Sequence, residues 1–363
     1  MGFTCGIVGL PNVGKSTIFN ALTAAGAEVA NYPFCTIEPN TGIVNVPDER
    51  LSLIAEMIKP KKMTPTTLQF LDIAGLVKNA SKGEGLGNQF LGHIRNVDAI
   101  AHVVRCFDRE SVSHVSGTVD PERDVDIVNT ELMLADLENL EKRMSKAEKL
   151  ARTGNKEMAE TLHLCRHIHE VLNQGKAART LTLGKEESAM VKDLQLLTAK
   201  PLFYVANVDE NSSKGGGYLR ALEEKGRKEG VPVVVICGEL EAEIVELPKA
   251  EQEAFKKDFG IGESGLERLI RIGYEILKLV TFFTTVSSEL RAWTVPRGTV
   301  APSAAGIIHS DMEHGFIRAE VINYEDFLTC GSEHVAREKG LLRSEGRDYI
   351  VQDGDVIHFR FNP

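Results

Sequence analysis

Gly9-Leu10-Pro11-Asn12-Val13-Gly14-Lys15-Ser16 fits the spacing G-x-x-x-x-G-K-[ST], and its flanks decide how it reads. Upstream, Phe3-Thr4-Cys5-Gly6-Ile7-Val8 has the apolar run of a short buried strand. Downstream, Ser16-Thr17-Ile18-Phe19-Asn20-Ala21-Leu22 starts a helix. Glycines in such a turn let the backbone wrap a phosphate with successive N–H groups pointing inward, and the helix N-terminus adds a partial positive charge. Lys15 can reach the outer phosphates and the Ser16 hydroxyl can ligate Mg²⁺. The bland alternative is a glycine turn without a ligand. Both flanks and every fixed position of the pattern weigh against it.

Outward from this loop the order of signals is that of a nucleotide switch. Asn31-Tyr32-Pro33-Phe34-Cys35-Thr36-Ile37-Glu38-Pro39-Asn40 is a loop by its prolines and asparagines, and Thr36 is placed to bring a hydroxyl to Mg²⁺. Thr67-Leu68-Gln69-Phe70-Leu71 reads as a strand ending in Asp72-Ile73-Ala74-Gly75. Its Asp can hold Mg²⁺ through water, and its Gly can offer an N–H to a γ-phosphate. Leu76 stands where many GTPases carry the Gln that orients the attacking water, so that function must fall to another group or a partner. Three glycines between Gly83 and Gly87 suggest a flexible switch segment. Gln89 to Asn96 reads as a short helix. Ala99 to Phe107 is a near-continuous apolar strand, as a parallel sheet covered on both faces requires. Strands alternating with helices predict a doubly wound α/β sheet of the P-loop NTPase (G-protein-like) kind.

The pattern changes at residue 129. Met133, Leu137, Leu140, Met144, Ala147 and Ala151 form a heptad seam, and Met158, Leu162, Cys165, Ile168 and Leu172 a second stripe, with a turn at Arg152-Thr153-Gly154-Asn155. This predicts an inserted antiparallel helical (coiled-coil) hairpin over 129–199. One arm is locally basic through Lys142, Arg143, Lys146, Lys149 and Arg152, either as a solvated face or as a contact to RNA or an acidic partner. His163, His167 and His169 lack the companions of a metal set and read as surface histidines. The sheet resumes at Leu202 to Ala206 and ends in Asn207-Val208-Asp209-Glu210, where many G proteins carry N-K-x-D. Val208 replaces the Lys and the longer Glu210 replaces the Asp, so guanine-reading geometry is not expected. Val233 to Ile236 is another strand, followed by Cys237-Gly238-Glu239 in position to line a base pocket. The expected division is thus a nucleotide domain over 1–128 and 200–280, the helical insert over 129–199, and a compact β-rich module over 281–363.

Composition sets the outer limits. At 363 residues, 42% hydrophobic and 26% charged, the chain has the composition of a soluble protein of two or three domains. No apolar run reaches transmembrane length, and the expectation is a cytoplasmic protein with no membrane partner. Six single cysteines suggest neither zinc nor a disulfide framework. Five read as core fillers and Cys35 lies in the polar loop. A net charge of −10 argues against coating nucleic acid non-specifically. The last module, with 12 acidic and 8 basic side chains, needs a local patch for any RNA affinity.

These stretches together resemble the YchF family of Obg-like P-loop NTPases. The resemblance runs over the whole chain: GLPNVGKST, NYPFCTIEPN, DIAGLVKNASKGEGLGNQFL, the NVDE departure, the helical insert, and RAWTV…GFIRAEV…YIVQDGDVIHFRF, which looks like a C-terminal β-grasp TGS domain. It implies an ATPase that prefers ATP to GTP, depends on Mg²⁺ and binds ribosomes or the large ribosomal subunit, with a role in translation or stress; a monomer is expected. It carries Asn12, Val13, Gly14, Lys15, Ser16 and Thr17 to the phosphates, Ser16 and Thr36 to Mg²⁺, and Asn207 with Val208 to the base. Asn12 matches the asparagine that holds K⁺ in cation-dependent relatives. Lys15 and His114 are the catalytic candidates, His114 matching a histidine that replaces the missing Gln; its rival reading is a surface loop histidine. A GTPase and a nucleotide-gated scaffold with incidental hydrolysis stand as the alternatives.

Overall fold

The computed structural model describes residues 3–25, 40–73, 86–109, 111–210, 216–258, 262–286 and 288–362. Cys35, Thr36, Gly75, Leu76 and the glycines at 83 and 85 lie outside these residues. The chain forms two compact units, 1–44 with 69–273, and 45–68 with 274–363.

In chain order the elements begin with β1 (Thr4–Val8), α1 (Lys15–Ala25), β2 (Thr41–Asn45), α2 (Glu49–Ile58), β3 (Lys62–Thr64) and β4 (Thr67–Asp72). Next come α3 (Leu86–Arg95), β5 (Ala99–Arg105), α4 (Pro121–Ala151), α5 (Lys156–Asn173), α6 (Lys185–Leu194) and β6 (Leu202–Asn207). Then follow α7 (Gly217–Glu229), β7 (Val233–Ile236), α8 (Gly238–Glu246), α9 (Lys249–Asp258) and α10 (Gly265–Ile276). The first sheet has the order β2-β4-β1-β5-β6-β7. Strands β4, β1, β5, β6 and β7 are parallel. All residues of β5 and β6 are buried, as a sheet covered on both faces demands. At its outer edge Asp72 N–H donates to Asn40 O and Val46 N–H to Thr66 O, a register that makes β2 antiparallel to β4. The strand order reverses beside β1, and ligands of such sheets bind outside the carboxyl ends of the strands at that point.

The two apolar stripes of the sequence lie on helices α4 and α5. Helix α4 starts at Pro121, eight residues before the expected start of the insert at 129, because Asp120 caps it by accepting the Arg123 N–H at 3.1 Å and Pro suits the first turn. Its first turns bury Val125, Val128 and Leu132 completely, and its later turns pack Leu140 against Cys165, Ile168 and Leu172 of α5. Asp136 anchors the returning chain: its carboxylate accepts from Leu197 N, Thr198 N and Thr198 Oγ1 at 2.9, 2.8 and 2.6 Å.

The second unit is completed by β8 (Leu279–Val286), β9 (Glu289–Pro296), α11 (Ala301–Ile308), α12 (Ser310–His314), β10 (Phe316–Ile322), α13 (Tyr324–Cys330), α14 (Glu333–Glu338), β11 (Arg343–Glu345) and β12 (Val356–Phe361). Its sheet runs β11-β10-β12-β8-β9-β3. Both faces are covered. Phe282, Phe359 and Val321 pack with the small residues Ala301, Ala304 and Ala305 of α11. Phe283, Leu290 and Val356 pack with Leu51 and Ile54 of α2, Phe327 of α13 and Ala336 of α14. The neighbours Phe282 and Phe283 thus serve opposite faces, following the two-residue period of a strand. Residues 45–68, inside the stretch that the sequence assigns to the nucleotide domain, join this unit because β3 pairs in parallel with β9 and α2 buries its apolar face there. The strand expected at Tyr349–Val351 reduces to one bridge between Ile350 and Val300.

On the β10–β12 surface Arg360, Arg318 and Arg337 converge on Glu320 at 2.9, 3.0 and 3.1 Å. The Arg360 hydrogen bond, foremost, pulls its carboxyl down to about 2. A carboxyl whose folded pKa lies below its unfolded value of about 4.3 stabilises the fold fully above that value and loses this contribution as pH falls towards 2. Glu320→Gln should therefore lower stability at pH 7, with the difference from the parent vanishing near pH 2. Urea unfolding across that range measures it, and a pH-independent difference would contradict the ion-pair account.

Candidate functional site

Five strand ends converge at the carboxyl edge of the first sheet: the phosphate loop after β1, Asp72 on β4, the residues after β5, Asn207 on β6, and Gly238 after β7. The phosphate loop is shaped by close approach. A Cβ on Gly9 would lie 2.5 Å from the Val103 carbonyl oxygen, and one on Gly14 would collide with the Asn207 amide nitrogen. Asn12 takes the left-handed conformation (φ 61°), which asparagine tolerates better than most residues.

Asn207 holds the site together. Its buried side chain donates from Nδ2 to Val13 O at 2.9 Å and accepts the Gly238 N–H on Oδ1 at 3.0 Å. One carboxamide thereby spaces the phosphate loop from the loop after β7. Asn12, Gly14, Thr17, Asn207 and Val208 line a cavity of about 210 Å³, so this part of the expected set is brought together. The cavity wall also includes Asp209, whereas Glu210 is an exposed neighbour outside it.

Lys15 lies almost buried, its Nζ donating to Leu10 O at 2.9 Å. Burial pushes its ammonium below the ordinary lysine range, against the opposing pull of Asp72. The same burial pushes the Asp72 carboxyl up, against the pull of Lys15. Asp72 Oδ1 is buried with no hydrogen-bond partner. An orphaned carboxylate oxygen beside Lys15, and the exposed hydroxyl of the next residue Ser16, are oxygen donors of the hard kind that suits Mg²⁺. Thr36, the other expected ligand, lies outside the described residues. No group of three or more His, Cys, Asp and Glu side chains arranged for a metal exists among the described residues, and the histidines of α5 form none.

The loop after β5 contributes residues that sequence reading missed. Phe107, Arg109 and Val112 line the cavity with Glu239. Arg109 meets Glu239 through two hydrogen bonds, Nη1–Oε1 at 2.5 Å and Nη2–Oε2 at 2.8 Å, joining the loop after β5 to the first turn of α8. Arg105, buried at the end of β5, donates to the carbonyls of Phe107, Val112 and Arg109 at 3.1, 3.0 and 3.4 Å. A charged residue ending an apolar run was the only available signal for this loop.

His114 is placed differently from a water-facing group. Its ring is buried and engaged at both nitrogens: Nε2 with Asp124 Oδ2 at 2.8 Å, and Nδ1 accepting the Ser116 N–H at 3.1 Å. Acceptance at Nδ1 places the proton of the neutral ring on Nε2. It is not among the cavity-lining residues. Its neighbour Ser113 touches the phosphate loop, its carbonyl accepting from Asn12 Nδ2 at 3.2 Å. Asp124 sits in the first turn of α4, so the loop links the phosphate loop to that helix.

Comparison with known proteins agrees with this geometry. A family model described as a 50S ribosome-binding GTPase matches residues 4–137. A second, the YchF-GTPase C-terminal model described as a protein of unknown function, matches residues 279–362. The ribosome-binding ATPase YchF of Haemophilus influenzae is 55% identical over 362 residues, covering 100% of both chains. Its namesake from Bacillus subtilis is 52% identical over 365 residues, again covering 100% of both. The solved Schizosaccharomyces pombe YchF GTPase superposes with a TM-score of 0.90 at 36% identity, covering 99% of this chain and 98% of that one.

If Asn207 spaces the loops as described, Asn207→Ala removes two buried hydrogen bonds and should weaken nucleotide binding at least about tenfold. Fluorescent-nucleotide titration measures this, and unchanged affinity would show the clamp to be dispensable.

Proposed function

The chain belongs to the YchF family of P-loop nucleotide hydrolases, and on that footing we propose that it is a switch ATPase that acts on ribosomes. The observation that carries the ATP reading is the base side of the cavity. Buried Val208 stands where a lysine stem would pack on guanine, and Glu210, which replaces the guanine-reading Asp, lies outside the wall. The relatives' name, ribosome-binding ATPase, supports both the base and the partner.

In this reading the N–H groups of the phosphate loop and Lys15 bind and orient the phosphates, Lys15 turning its ammonium from Leu10 O towards them. Ser16 and Asp72, with Thr36, would hold Mg²⁺, which when bound neutralises charge on the β- and γ-phosphates. Asn12 is the ligand proposed for K⁺. His114 orients or deprotonates the attacking water in place of the Gln that Leu76 replaces. Since both ring nitrogens are engaged by Asp124 and Ser116, the segment 111–118 must release the ring before it can do so. Hydrolysis is therefore slow until a ribosomal partner favours the released arrangement, and the switch operates in the cytoplasm as a monomer. The proposed division is a nucleotide domain, a helical insert and a C-terminal TGS-like module.

Basal turnover should be on the order of 10⁻³ to 10⁻² s⁻¹, as for switch NTPases awaiting a completing group, and rise with ribosomes. A fast basal rate with no ribosome response would overturn the switch. Competition between labelled ATP and GTP tests the base, and a GTP preference would overturn the wall argument in favour of a GTPase. His114→Ala should abolish turnover while sparing ATP and ribosome binding. Undiminished hydrolysis would return His114 to a structural role.

A further inference from the structure

A second cavity, of about 470 Å³, lies between α4, the segment 175–180 and the end of α7. Thr198 and Val231 on its wall precede β6 and β7. It therefore sits at the amino edge of the sheet, about 20 Å along a six-residue strand from the phosphate loop.

Its polar groups are unevenly satisfied. Asp126 and Glu229 are both paired with Lys225, at 2.6 and 3.1 Å, and Lys228 pairs with Glu224. Arg179 is not so paired. Its guanidinium makes one side-chain hydrogen bond, to Thr198 O at 3.4 Å, and meets no carboxylate within ion-pair distance among the described residues. Arg105, by contrast, uses three nitrogens on three carbonyls. Burial pushes the Arg179 pKa down, outweighing the pull of Tyr204 and Glu229. Asn129, also on the cavity wall, has a buried Oδ1 with no partner. Nearby His102, held neutral by burial first and by Arg179 second, has a buried Nδ1 with none. Lys176 is exposed at the rim. The uncompensated charge facing this space is positive, and an unpaired acceptor accompanies it.

We propose that this cavity is a second ligand site, independent of the nucleotide cavity. Its ligand is a small metabolite bearing a phosphate or carboxylate for Arg179 and an adjacent N–H or O–H donor for Asn129. The volume falls within the range of metabolite pockets, about 300–1,000 Å³, and exceeds what a bare anion fills. A guanidinium with free donors in a partly desolvated wall is a preferred partner for such oxyanions.

The test is equilibrium dialysis of the full chain with radiolabelled inorganic phosphate and, in a separate arm, labelled succinate. Non-hydrolysable ATP and GTP analogues are kept in excess, so that the nucleotide cavity is filled whichever base it prefers. Saturable binding of at least one anion is expected, and the better-binding arm identifies the head group. Arg179→Gln should weaken that binding about tenfold or more. Asn129→Asp, which keeps the shape and adds a negative charge, should do likewise, while analogue binding is unchanged in both. No saturable binding of either anion up to tens of millimolar would overturn the proposal. So would binding that survives Asn129→Asp undiminished, even if Arg179→Gln fails to fold.

Discussion

The cavity at the phosphate loop depends on one carboxamide. Asn207 lies at the carboxyl end of a fully buried strand, and its two hydrogen bonds fix the phosphate loop against the loop after β7. The contact is tight enough that any side chain at Gly14 would occupy the same space. A buried amide with both ends satisfied is favourable, and the same amide with one end free is costly. The two loops are therefore held at one separation, and Val208 and Asp209 enter the cavity wall because Asn207 cannot turn away from its partners. The asparagine expected to read a base is first a spacer between loops.

That arrangement was legible in sequence wherever the chemistry is local. The phosphate loop, the strand before it and the helix after it are contiguous, and their residue types are dictated by backbone geometry. The buried strands announced themselves as apolar runs, and the hairpin of α4 and α5 by its seven-residue period. Contacts formed between distant stretches were not legible. Arg109 meets Glu239 across 130 positions, and nothing in either stretch names the other. Residues 45–68 leave the first sheet for the second unit because β3 finds β9 more than two hundred residues away. The helices of the second unit were obscured because its sheet is covered on both faces, which removes the polar alternation that marks an open strand. For His114 the sequence supplied a position, and only the three-dimensional arrangement supplied its bonding state.

Buried charge is used in several distinct ways in this chain. Arg105 is satisfied entirely by backbone carbonyls and shapes a loop. Asp136 accepts three donors and ties the returning segment 197–198 to α4. Lys15 and Asp72 are held near one another with incomplete hydrogen bonding, each pushed by burial towards its neutral form. Incomplete satisfaction is disfavoured in a folded core unless something else completes it. Its presence at Asp72 beside the phosphate loop, and at Asn129 beside the second cavity, separates both places from the fully paired ion pairs elsewhere.

Helix α4 has a mechanical consequence. Of its 31 residues, those up to Asp136 are gripped by the sheet and by the 197–198 backbone, while the remainder runs outward in the hairpin. From Asp136 to Ala151 the axis extends about 22 Å at 1.5 Å per residue. A rotation of about 5° at the gripped end displaces the far turn by about 2 Å. Because Asp124 in the first turn holds the loop that touches Asn12, a shift too small to alter the sheet becomes a displacement the size of a hydrogen bond at the hairpin tip. The helix thus has the geometry of a lever whose short arm rests on the phosphate loop's neighbour.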